Sequence, residues 1–223
     1  MIRIQNLEKN YRIGNSSITA LKNINLEVSN SQFVTLMGPS GSGKSSLLNI
    51  LASIDKPDNG LVEVFDYNLN NLSQRDLDKY RRSTVGIIFQ FFNLLPYLSA
   101  LENVSLPLYL SGISTNQAHL RASESLEMVG LKDRMQHKPT ELSGGEQQRV
   151  AIARSIVHNP KLLLADEPTG NLDTDTSHKI MEILLKLRKE KSFTLWIVTH
   201  NPEIGRLGDL QIHLKDGKML DES

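Results

Sequence analysis

"FVTLMGPSGSGKSSLLNILAS" (residues 33–53) decides the fold, because it holds a strand, a turn and a helix in immediate succession. Phe33 to Met37 is a short apolar run of the kind that forms a strand buried on both faces. "SSLLNILAS" has helix-forming content and opens directly after the turn. Between them, Gly38 to Ser45 fit G-x-x-x-x-G-K-S/T. The glycines free the backbone so that N–H groups turn inward around phosphate oxygens. Lys44 reaches the β- and γ-phosphates, and the Ser45 hydroxyl is a ligand for Mg²⁺. The helix N-terminus directs its positive end at the same point. Gly38, Ser40, Gly41, Ser42, Gly43, Lys44, Ser45 and Ser46 are therefore the candidate nucleotide contacts.

Two more runs have the same grammar. "KLLLA" (161–165) and "TLWIV" (194–198) read as buried strands, each followed by a polar turn and a helix, as in a parallel α/β sheet. Ligands of such sheets bind at the carboxyl ends of the strands, so the three turns are expected to face one crevice. "IRIQN", "INLEV" and "LVEVFD" (61–66) alternate apolar and polar residues, which predicts a half-exposed β-sheet near the N-terminus. From Phe91 to Pro160 strand signals fade. "ALENVSLPLYL", "NQAHLRASESLEMVG" and "EQQRVAIARSI" predict a helical lobe inserted into the core, and "LQIHL" a last short strand. The expected organisation is one domain over 1–223. Residues 1–90 and 161–223 form the α/β core with its β subdomain, and 91–160 the helical subdomain.

Composition narrows the class. The 223 residues carry 25 Lys plus Arg and 25 Asp plus Glu, so no basic excess points to nucleic acid. Cysteine is absent, which removes disulfides, thiolate metal sites and cysteine nucleophiles. The N-terminal "MIRIQNLEKNYRIG" is too charged for an export signal. No apolar run reaches the roughly 18 residues of a membrane span.

Chemistry-bearing residues sit at strand ends. Asp166 and Glu167 close "LLLADE"; Asp166 is placed to hold Mg²⁺, and Glu167 to accept a proton from an attacking water. His200 closes "LWIVTH", where an imidazole can bond a γ-phosphate oxygen, and Gln90 closes "VGIIFQ", where an amide can touch Mg²⁺ or the nucleophilic water. His119, His137, His158, His178 and His213 read as solvated surface residues, and Trp196 as core. Two readings of Tyr11 stand, packing or a platform for the base. "LSGGEQQRVAIARSI" (142–156) supplies a second glycine-rich helix start. Ser143 is a good N-cap, Gly144 and Gly145 free the backbone, and Val150, Ala153 and Val157 mark the buried face. A capped helix and an anion site are both consistent with it.

Taken together the chain resembles the nucleotide-binding subunit of an ATP-binding cassette (ABC) transporter over its whole length. Tyr11, the phosphate loop, Gln90, "LSGGEQQ", "LLLADE", "GNLD" (170–173) and His200 follow in the family's order. The resemblance implies a P-loop NTPase fold with a parallel sheet, an N-terminal antiparallel β subdomain and an inserted helical subdomain. It implies ATP and Mg²⁺ as ligands, with Glu167, His200 and Gln90 catalytic and Ser45, Gln90 and Asp166 at the metal. It also implies a head-to-tail homodimer, in which Ser143, Gly144, Gly145 and Asp173 meet the partner's ATP. An integral membrane permease is the implied partner, engaged peripherally from the cytoplasmic side of the inner membrane, with no role for nucleic acid.

"FNLLPYLSALENVSLPL" and "DEPTGNLD" are most similar to the lipoprotein-release and macrolide-export subfamily, whose implied substrates are lipoprotein, peptide or drug-like. Phe91 and Asn201 depart from that pattern, which commonly has Gln and Asp there. Phe92 to Tyr97 is the expected docking segment for the permease. Two alternatives remain beside transport: a regulatory scaffold controlling an extracytoplasmic partner, and a soluble ABC ATPase of DNA repair or translation. The single cassette, neutral charge and missing coiled coils weigh against the second.

Overall fold

The computed structural model describes residues 1–14 and 16–220. Two compact units are present, Met1–Arg81 with Thr194–Ser223, and Arg82–Phe193.

In the first unit the alternating segments form an antiparallel sheet. β1 (Ile2–Ile13) pairs with β2 (Ser16–Val28) on one side and β4 (Asn59–Val64) on the other, and β5 (Tyr67–Asn68) adds to β4. Ile2, Ile4, Leu7, Leu21, Ile24, Val62 and Val64 are buried, so the period-two pattern places one face in a core as expected. β3 (Phe33–Met37) forms the second sheet. It runs parallel to β8 (Thr194–Val198), with Val34 opposite Trp196, and parallel to β9 (Leu210–Lys215), with Thr35 opposite Gln211. β10 (Lys218–Met219) turns back antiparallel onto β9. Trp196 is fully buried, as read from its mid-strand place.

α1 (Lys44–Leu51) starts at the lysine, one residue before the predicted helix, and is capped by Gly43. α2 (Gln74–Ser83) was not anticipated: it is largely polar, and only Leu77 and Tyr80 are buried. α7 is a short turn at Pro202–Gly205.

The second unit contains a parallel pair, β6 (Val85–Ile88) beside β7 (Leu162–Asp166), with Val85 opposite Leu162. Its helices are α3 (Ala100–Leu110), α4 (Thr115–Met128), α5 (Gly144–Ile156) and α6 (Thr174–Lys191). The first three pack on one another. α3 begins with a capping box between Ser99 and Glu102. Fully buried Asn103 then donates its amide to the carbonyls of Leu95, Leu98 and Ser99, which fixes the approach to the helix.

One histidine departs from expectation. His178 and His213 are exposed, but His158 turns inward, with Nε2 3.1 Å from the Val85 carbonyl and Nδ1 buried. It follows the end of α5, whose apolar face carries it against β6.

Candidate functional site

Backbone conformation builds the phosphate loop. Gly38 and Gly43 have φ of 146° and 104°, values that side-chain-bearing residues rarely adopt. A Cβ at Gly38 would lie 2.0 Å from the Leu214 carbonyl oxygen, and one at Gly43 2.3 Å from that of Ala20. Both glycines are thus required by conformation and by space. Gly41 faces open space, and Ser40 is exposed. Lys44 crosses the loop and donates to the carbonyls of Gly38 (2.9 Å) and Pro39 (2.8 Å). Ser42 is buried with no hydrogen-bond partner for its hydroxyl, and Ser45 is exposed. Open glycine backbone, one buried cation and a helix N-terminus fit a polyphosphate.

Tyr11 and His200 belong to the same unit. Tyr11 is half-buried, with its hydroxyl donating to Asp55 Oδ2 at 2.8 Å. His200 is exposed immediately beyond β8. Asn201, one of the two departures from the expected pattern, accepts a hydrogen bond from the Glu203 N–H at 2.8 Å and is the N-cap of α7. Asn and Asp cap equally well, so the substitution is neutral for this turn.

In the second unit several loops converge on the segment after β7. Asp166 ends the strand, and Glu167 takes a left-handed conformation at φ 47°, unusual for a residue other than glycine. The Glu167 carbonyl accepts from the Gly170 N–H at 3.0 Å, closing a tight turn. A Cβ at Gly170 would stand 3.1 Å from both Gln90 Nε2 and Glu167 Oε2, so this glycine lets the two candidate catalytic side chains come together. Asn171 donates its amide to the Gln90 carbonyl at 2.9 Å. From α5, buried Gln148 donates to the carbonyl of Pro168, next to Glu167.

The second glycine turn is a complete cap. Ser143 Oγ accepts from the Glu146 N–H, and the Glu146 carboxylate accepts from the Ser143 N–H at 2.8 Å. Because Oγ is the acceptor, the serine keeps its own proton to donate outward. These cap bonds, with Arg134 and Arg149 nearby, lower the Glu146 pKa below the usual range. Ser143, Gly145, Arg149, Thr176 and Lys179 line a concavity of about 200 Å³. Gly145 abuts α6, and Gly144 has more room. Asp173 is the N-cap of α6, accepting from the Thr176 N–H at 2.9 Å, which lowers its pKa.

Sequence reading did not single out Gln148, Asn171, Thr176 or the Lys9–Asp55 pair. Gln148 and Asn171 lie inside "LSGGEQQ" and "GNLD", but the groups they contact are distant in sequence, and no local spacing marks those partners.

The Gln90 to Tyr97 segment is held from α5. Arg154 donates to the carbonyls of Phe92 and Asn93, which both have left-handed φ near 50°. Phe91 is 72% exposed and Tyr97 87%.

A family model described as ABC transporter matches residues 21–170, from β2 through the phosphate loop, the capped glycine turn and the β7 carboxylates. The chain belongs to the ABC transporter family. It is an ATPase of that family. An ABC transporter ATP-binding protein of Methanocaldococcus jannaschii, MJ0796, is 48% identical over 98% of this chain and 95% of its own length. The lipoprotein-releasing system ATP-binding protein LolD of Syntrophus aciditrophicus is 44% identical over 99% of each. Among solved structures, a dimeric post-hydrolysis state of the MJ0796 cassette bound to ADP and Pi is similar at TM-score 0.91. It is 46% identical, and the match covers 100% of this chain and 98% of that one. The ABC fold is thus present with its antiparallel and parallel sheets and its helices. No helix among the described residues is long and apolar enough to cross a membrane.

Proposed function

We propose that this chain is the Mg·ATP-hydrolysing subunit of an ABC transporter that works as a head-to-tail homodimer. The capping box at Ser143 carries the reading. A hydroxyl whose oxygen is already an acceptor, at a glycine-rich helix start, is set to donate to a phosphate, and the chain has its own phosphate loop elsewhere. Two anion-binding helix starts with one phosphate loop suit a nucleotide shared between two copies. The MJ0796 cassette, solved as a dimer with ADP and Pi, supports it.

In this mechanism Lys44 and the loop N–H groups neutralise the triphosphate, and Tyr11 stacks on the base. Ser45, Asp166 and Gln90 offer the hydroxyl, carboxylate and amide oxygens that suit Mg²⁺, which supplies charge neutralisation on the phosphates when bound. Glu167 accepts the proton of the attacking water, and His200 donates to a γ-phosphate oxygen. Ser143, Gly144, Gly145 and Asp173 act on the partner's nucleotide. The exposed Phe91 and Tyr97, with a groove of about 390 Å³ formed by Phe92, Leu94, Pro96 and Thr140 among others, receive a cytoplasmic helix of the permease. Relatives named for lipoprotein release favour the lipoprotein-release and macrolide-export subfamily.

Mixed dimers test the arrangement. A purified heterodimer of Lys44→Ala and Ser143→Arg chains places both lesions in one shared site and leaves the other intact. One trapped ATP per dimer is expected when both chains also carry Glu167→Gln; none overturns the shared-site reading.

A further inference from the structure

Tyr11 is held by two charged residues. Its hydroxyl donates to Asp55 Oδ2 at 2.8 Å. The Lys9 ammonium lies over the ring, 5.1 Å from its centroid. Lys9 and Asp55 are joined in turn, Nζ to Oδ1 at 2.8 Å. Lys9 also donates to the Lys56 carbonyl at 2.8 Å and stands 3.6 Å from Asp58. Lys9 is only 7% exposed. Burying a lysine is costly, and a paired buried charge seldom stabilises a fold more than apolar side chains of the same volume. Linking β1 to the turn after α1 therefore does not by itself account for charges here. Both ions, however, act on one aromatic ring. The carboxylate fixes its hydroxyl and the ammonium covers one of its faces, and because Tyr11 is only half-buried the ring keeps surface for a flat ligand.

We propose that Lys9 and Asp55 are positioning residues for nucleotide-base recognition, locking the Tyr11 ring so that its exposed surface is preset for the adenine. The inference rests on the reading of Tyr11 as the base platform. A ring already immobilised loses less freedom when the base stacks, and the saving appears as affinity. The triphosphate end does not use this device.

Calorimetric titration of the intact chain with Mg·ATP and, separately, with Mg·tripolyphosphate reads the two ends apart. Stacking of this kind predicts that Tyr11→Ala weakens ATP binding about tenfold and leaves tripolyphosphate unchanged. Asp55→Asn and Lys9→Met should follow the same pattern with losses of roughly three- to tenfold, because they loosen the ring without removing it. Lys9→Arg should restore most of the ATP affinity, and Asp55→Asn added to Tyr11→Ala should cause no further loss. Equal losses for both ligands in Asp55→Asn, or an additive loss in the double variant, overturns the positioning role. If Tyr11→Ala weakens ATP while Asp55→Asn does not, only the positioning role falls. If Tyr11→Ala leaves ATP binding intact, the platform reading falls with it. Should Asp55→Asn fail to fold, Lys9→Met/Asp55→Leu removes both charges of the pair, leaving only the more exposed Asp58 without its lysine, and is judged against the same two ligands.

Discussion

Gly145 meets Thr176 at its side chain: a Cβ built on the glycine would sit 2.5 Å from Thr176 Cγ2. The capped helix α5 and the start of α6 are therefore packed at a distance that only glycine permits. Thr176 also supplies the N–H that Asp173 caps, so one residue serves both helix starts.

Gly145→Ala should cost about 1–3 kcal/mol in urea unfolding, the usual penalty for overpacking. Thr176→Ser removes the offending methyl and keeps the hydroxyl. In the double variant most of the lost stability should return. An unchanged penalty would mean that the defect at Gly145 does not arise from this contact.

Gln148→Leu should slow ATP turnover about tenfold at saturating ATP while leaving ATP affinity near that of the parent chain, because small misplacements of catalytic groups act on rate. The amide of Gln148 holds the Pro168 carbonyl, directly after Glu167 in its left-handed turn. Steady-state kinetics that separate kcat from KM provide the check. A rise in KM alone contradicts the assignment.

Arg154→Lys should loosen the segment beyond Gln90. Burial lowers the Arg154 pKa, yet its planar guanidinium reaches two successive carbonyls, those of Phe92 and Asn93. An ammonium lacks that fork. Hydrogen exchange followed by mass spectrometry should show faster exchange in peptides spanning 91–97 and unchanged exchange in β7. Equal protection in both chains would remove Arg154 as the clamp.

His158 predicts an acid dependence of stability. Burial lowers its pKa from the ordinary value near 6.5, outweighing the opposite effect of the Val85 carbonyl. Below that value the unfolded chain binds the proton more readily than the folded one, so stability rises with pH there. The contribution of His158 is fully present above about pH 6.5 and is lost as the pH falls through the depressed folded value. His158→Gln should flatten the slope of unfolding free energy below about pH 6.5. Parallel slopes in the two proteins would exclude His158 as the titrating group.

The sequence made some features plain because their physics is local. Gly38 to Ser45 need only their own backbone conformations and a following helix. The Ser143 cap spans four residues, and the apolar runs that became β3, β7 and β8 are continuous. α2 escaped notice because its charged residues give little apolar periodicity, with only Leu77 and Tyr80 turned inward. His158 reads as a surface residue from sequence because its neighbours Val157 and Asn159 say nothing of β6, whose Val85 carbonyl it meets.

Sequence by itself determined the fold class, the phosphate loop, the carboxylates at the end of β7 and the second glycine-rich helix start. Each is written in periodicity, capping chemistry or glycine placement within a few residues. Tertiary structure alone decided what supports them. Asn171 reaches Gln90 across 81 positions, Lys9 reaches Asp55 across 46, and Gln148 reaches Pro168 across 20. Hydrogen bonds between such partners depend on how helices and strands pack, and no local pattern of residues encodes that distance.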